Sequence, residues 1–105
     1  MLNPGDCIKV KTTTLEDVFG DVVYQVEKIG LTCPECKGQD AIRFTMLGGS
    51  GPAARPGYPV LDCLQRIRRD MAKGITQILT PEQAVAAVAQ YKNQGVPKPG
   101  REIEM

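Results

Sequence analysis

The sequence predicts an α+β domain: a small antiparallel, partly open β-barrel of the SH3-like kind, with a glycine-rich loop and one or two helices in the C-terminal half. Three features point there. Segments of alternating polarity crowd the first half of the chain, four glycines and two prolines fall within residues 48–57, and Thr80-Pro81-Glu82-Gln83 opens a helix.

At 105 residues and 11.4 kDa the chain has the size of one domain. Such a domain buries roughly two-thirds of the surface its unfolded chain exposes, enough for a core without staples. Thirteen Lys+Arg against twelve Asp+Glu leave a net charge of +1, so no global field draws the chain to nucleic acid or to an anionic membrane. No apolar run approaches the roughly 18 residues of a membrane span, and no membrane partner is expected. The first residues carry neither a basic nor an apolar leader segment, which makes the cytoplasm the expected compartment and thiols or metal ligands the expected state of the four cysteines.

In chain order, Asp6 to Thr12 alternates, with Ile8 and Val10 on one face and Cys7, Lys9 and Lys11 on the other, as in a half-buried strand. Thr14-Leu15-Glu16-Asp17 reads as a cap on one helical turn that Gly20 ends. Val22 to Ile29 is the clearest strand: Val22, Tyr24 and Val26 share one face, and Val23, Gln25, Glu27 and Ile29 the other. Ala41 to Leu47 repeats the pattern, so the residues between them form a hairpin loop with Cys33 and Cys36 at its tip. Residues 48–57 read as an exposed, mobile loop. Leu61, Leu64, Ile67, Arg68 and Met71 recur at helical spacing, predicting a helix over Leu61 to Lys73 that Gly74 stops. Ile75 to Leu79 reads as a last strand. Thr80 then caps a helix with Pro81 in its first position and Gln83 closing a capping box. That helix is expected to run to about Asn93 and to dock through Ala84, Ala87, Val88 and Tyr91, with both helices on one side of the sheet. The globular domain is placed at residues 1–94 and a flexible tail at 95–105.

Chemistry concentrates in Cys33-Pro34-Glu35-Cys36-Lys37-Gly38. Two thiolates three residues apart can clamp one soft metal ion, and a closed tetrahedral zinc site needs two more ligands. With no histidine in the chain, those would be Cys7 and Cys63. The hexapeptide resembles one knuckle of a zinc ribbon or rubredoxin; the second knuckle has no counterpart. A zinc ion held by Cys33, Cys36, Cys7 and Cys63 would be structural, since four thiolates leave no open position for a water. Four separate thiols, or a redox pair of Cys33 and Cys36, are the other readings. A thioredoxin-type pair opens a helix, however, whereas Gly38 and Asp40 here lead into a strand.

Partner contacts are expected at Gly49, Ser50, Gly51 and Arg55 on the glycine-rich loop, and at Arg66, Arg69 and Lys73 on one helix face. The loop lacks any phosphate-binding motif, and the basic face equally suits a solvated helix whose last turn complements the dipole. Without histidine there is no ordinary Ser-His or Cys-His pair and no imidazole acid or base. The expectation is therefore a non-enzymatic binding domain with a protein partner, with no cofactor or with a structural zinc ion. Its alternatives are a zinc-stabilised nucleic-acid-binding domain and a small thiol redox protein.

Overall fold

The structure is a computed structural model and describes residues 2–12, 19–34, 37–91 and 93–94. The Thr14–Asp17 turn, Cys36 and the tail after Gly95 lie outside them. The described elements are strands β1 (Cys7–Val10), β2 (Val22–Leu31), β3 (Ala41–Gly49), β4 (Pro59–Cys63), helix α1 (Leu64–Ala72), β5 (Thr76–Leu79), α2 (Pro81–Ala89) and the two-residue β6 (Asn93–Gln94). One antiparallel sheet runs β4-β3-β2-β1-β5, with β6 paired to β3 at Gly48 and Gly49. The sheet does not close, so β4 and β5 are its edges. No described helix is long and apolar enough to cross a membrane.

Cys7 and Ile8 explain the layering. They are consecutive on a strand, so their side chains take opposite faces, and both are buried. Ile8 packs with Val26, Ile42, Phe44 and Leu2 under Ile67 of α1. Cys7 packs with Val23, Leu47 and Leu79 under Ala84 and Val88 of α2. The helices therefore cover opposite faces, against the expectation that both lie on one side. Phe44, 1% exposed, anchors the α1 side, where burying such a side chain contributes about 1.5–3 kcal/mol.

The alternation in β2 holds only to Val26. Val26 pairs with Phe44 and Lys28 with Arg43, which leaves Glu27 as an extra residue on β2. Such a bulge reverses the parity of the residues beyond it. Ile29, expected beside Val23, is carried instead to the α1 side, where it lines a groove with Leu2 and Ile42.

The predicted helix over Leu61–Lys73 divides in two. Residues 59–63 extend along β3, from Thr45 opposite Pro59 to Ala41 opposite Cys63, and the helix begins only at Leu64. β3 offers a row of main-chain donors and acceptors that a helical turn there would leave unpaired. Leu61, expected on the helix, lies instead on β4 and is 50% exposed. Gly74 stops the chain as expected, with φ +76°.

The capping box at α2 forms as predicted: Thr80 Oγ1 accepts from Gln83 N at 3.1 Å, and Gln83 Oε1 accepts from Thr80 N at 2.9 Å. Ala84 and Val88 are buried, with Ala87 and Tyr91 packed beside them. The helix ends at Ala89, short of Asn93, because the chain leaves it to add β6 to β3.

The glycine-rich segment is only in part the exposed loop its composition suggests: Ser50, Pro52, Arg55, Pro56 and Gly57 are exposed, but Gly48, Gly49, Gly51 and Ala54 are buried. Strand β3 continues through Gly49, and Ala54, 4% exposed, packs on Val22 and Met46. Ser50 N donates to Asp21 O at 2.8 Å, Gly51 N to Phe19 O at 2.8 Å, and Gly57 N to Met46 O at 2.8 Å.

Candidate functional site

An apolar recess lies where α1 crosses the sheet. It encloses about 370 Å³ and is walled by Leu2, Ile29, Ile42, Leu64, Met71 and Ile78. Each wall has a local cause. Leu64 and Met71 lie on one stripe of α1, the bulge at Glu27 turns Ile29 inward, and Ile78 comes from the β5 edge. Ile29 at 40% and Ile78 at 45% exposure leave this apolar surface open to solvent. Its polar lining is Gln39, Asp40 and Arg68, with Gly30 beside Ile29.

Asp40 is tied to the start of α1. Its main-chain carbonyl accepts from Leu64 N at 2.9 Å, and its carboxylate faces Gln65 Nε2 at 3.5 Å. Arg68, one turn further along, is exposed and makes no hydrogen bond or ion pair among the described residues. Sequence reasoning did not select this groove. Its one visible signal was Arg68, a cation standing in the otherwise apolar stripe of Leu64, Ile67 and Met71.

Of the predicted metal ligands, Cys36 lies outside the described residues, and Cys7 does not join Cys33 and Cys63. Cys33, 3% exposed, and the half-buried Cys63 line one cavity of about 90 Å³ with Pro34, Ala41 and Arg66. Strand pairing brings them there: Ala41 lies opposite Leu31 on one side and opposite Cys63 on the other. Cys7 is elsewhere. It pairs with Gln25, Gln25 with Thr45, and Thr45 with Pro59, four residues before Cys63. Three strand spacings and four residues place Cys7 and Cys63 on the order of 20 Å apart. Thiolates on one zinc ion lie at most about 4.6 Å apart, twice a zinc–sulfur bond, so these two cannot share it. Cys33 and Cys63 supply two donors; among the described residues no three Cys, Asp or Glu side chains group as ligands of one ion. Burial, then the charge of Asp6, pushes the Cys7 thiol up and keeps it a protonated core residue.

The expected partner residues separate in the same way. The main-chain donors of Ser50 and Gly51 are engaged inside the fold, and Gly49 is enclosed by Val22 and Ala54, so an anion cradle there lacks its donors. Arg55 stands over the Tyr58 ring at 5.7 Å, ahead of β4, whereas Arg66 comes after its far end. Arg66 pairs with Asp62 at 3.7 Å, while Arg69 and Lys73 share the outer side of α1 and the Arg69 carbonyl accepts from Lys73 N at 3.2 Å. The basic residues thus form no single patch with the loop.

Comparison with protein-family models, with curated proteins and with solved structures finds no match to this chain.

Proposed function

We propose that this chain is a non-enzymatic binding domain whose ligand enters the groove between α1 and the sheet. One observation carries the proposal: about 370 Å³ of apolar recess with Ile29 and Ile78 held open to solvent, a volume in the range of small-molecule sites. Leaving those side chains wet costs stability, and a ligand that covers them recovers it. The groove replaces the glycine-rich loop as the preferred site because the loop's polar groups are engaged internally.

A neutral fluorescent apolar probe such as N-phenyl-1-naphthylamine should bind saturably at one site, and at least about tenfold more weakly to Ile29→Asp, since an isolated charge is expensive on an apolar wall. Only a non-saturating rise in fluorescence, equal in the two proteins, would remove the groove from consideration.

A protein partner has its own support in the unpaired edges β4 and β5, which present Leu61 and Ile78 to solvent. Strand addition there would use main-chain hydrogen bonds for affinity. Structural zinc at the hairpin tip rests on the cavity shared by Cys33 and Cys63, and native mass with and without chelator tests it. A partly open barrel as the finer description of the sheet is supported by the register breaks along β2 and β3, which sharpen local twist. A cytoplasmic setting fits thiols kept reduced.

A further inference from the structure

We infer that the ligand of the groove is a small amphiphile with one anionic head, a medium-chain carboxylate, whose chain lies against Ile29, Ile42, Leu64, Met71 and Ile78 and whose carboxylate meets Arg68. This rests on the groove being the binding site and adds the ligand's chemical class. Charge decides the class. Of the two ionic side chains lining the groove, the Asp40 carboxylate is engaged by Gln65 Nε2 at 3.5 Å, while the Asp40 main-chain carbonyl accepts from Leu64 N at the start of α1. Arg68 is one turn along and makes no hydrogen bond or ion pair among the described residues, so it is the ionic group left open to a ligand.

Its position is as telling as its charge. Leu64, Arg68 and Met71 recur at helical spacing on the stripe that faces the groove, where an aliphatic residue would extend the apolar wall. A guanidinium stays ionised at all working pH values and presents a planar fork that fits a carboxylate through two hydrogen bonds. An arginine can lay its aliphatic stem on an apolar wall while its head reaches water, which suits a ligand whose chain is buried and whose head is at the surface. A cationic head would face Arg68 repulsively. A neutral head could accept a hydrogen bond from it but would lack the ion pair.

Calorimetric titration of the full chain with octanoate, octan-1-ol and octylammonium at neutral pH and low salt tests the inference. The same titrations are made on Arg68→Gln and Ile29→Asp, both at exposed positions, with thermal melts confirming that each variant folds. Octanoate should bind about fivefold tighter than octan-1-ol, a ratio set by one exposed charge pair. That preference should vanish in Arg68→Gln and shrink with added salt, octylammonium should bind most weakly, and Ile29→Asp should weaken all three. Equal binding of octanoate and octan-1-ol, or tightest binding of octylammonium, overturns the carboxylate while leaving the groove as the site. If none of the three binds and the amide resonances of Ile29 and Met71 do not move, the groove falls as well.

Discussion

Gly49 is enclosed where strand β3, the segment before β2 and the glycine-rich turn meet. A Cβ at this position would lie 2.6 Å from Ala54 Cβ, 2.8 Å from Val22 Cγ1 and 2.9 Å from Phe19 O. Gly49→Ala should therefore cost about 1–3 kcal/mol, read as a lowered urea midpoint with unchanged slope, because backbone must move to admit the methyl group. Cys7 makes a prediction of a different kind. Its folded-state pKa is raised by burial and by Asp6, so the unfolded chain releases this proton first as pH rises. The contribution is complete below the ordinary thiol range and is lost as pH climbs through it towards the raised folded value. Between about pH 8 and about pH 10 stability should fall more steeply in the wild type than in Cys7→Ala. Tyr91, raised by burial and secondarily by Asp21, adds a loss of the same sign around its ordinary phenol range, and Tyr91→Phe should flatten that part of the profile. Parallel profiles for the wild type and both variants would mean that neither group differs in proton affinity between the two states.

At the scale of single elements, α2 is the one whose local signal and tertiary role coincide. Thr80, Pro81 and Gln83 satisfy the first turn, and the small stripe of Ala84 and Val88 brings the helix close to Cys7, Val23 and Leu47. Thr80→Ala should cost about 1 kcal/mol by removing the cap. Ala84→Leu should cost about 1–3 kcal/mol by overpacking, with Ala84 only 2% exposed. Thermal melts of the two variants separate cap from packing, since Thr80→Ser restores the first and does nothing for the second. Segment 59–72 behaves differently. Its helical period is real from Leu64 to Met71, yet residues 59–63 obey β3 and not the period, because pairing with an available edge outweighs a weak local preference.

Across the molecule, stability should be graded by place in the sheet. Strands β2 and β3 are long and flanked on both sides, whereas β4 and β5 are edges. Amide hydrogen exchange should be slowest at Val23, Val26 and Phe44 and faster by orders of magnitude at outward-facing amides of β4 and β5. Slower exchange at the edges than at the centre would contradict the strand order. The same division between near and far explains what could be read without coordinates. The sequence by itself determined the alternation of β1 and the first half of β2, the capping box at Thr80, the stop at Gly74 and the hairpin that carries Cys33, since each depends on residues within a few positions of one another. Tertiary structure alone decided that α1 and α2 take opposite faces, that the bulge at Glu27 turns Ile29 into the groove, and that Ala54 packs where glycines suggested a loose loop. It also separated Cys7 from Cys63 and set Arg68 beside Ile29 and Ile78. These outcomes rest on the register between strands and on which face a crossing helix covers, and both are set by pairing among segments far apart in the chain, where local propensity and period carry no information.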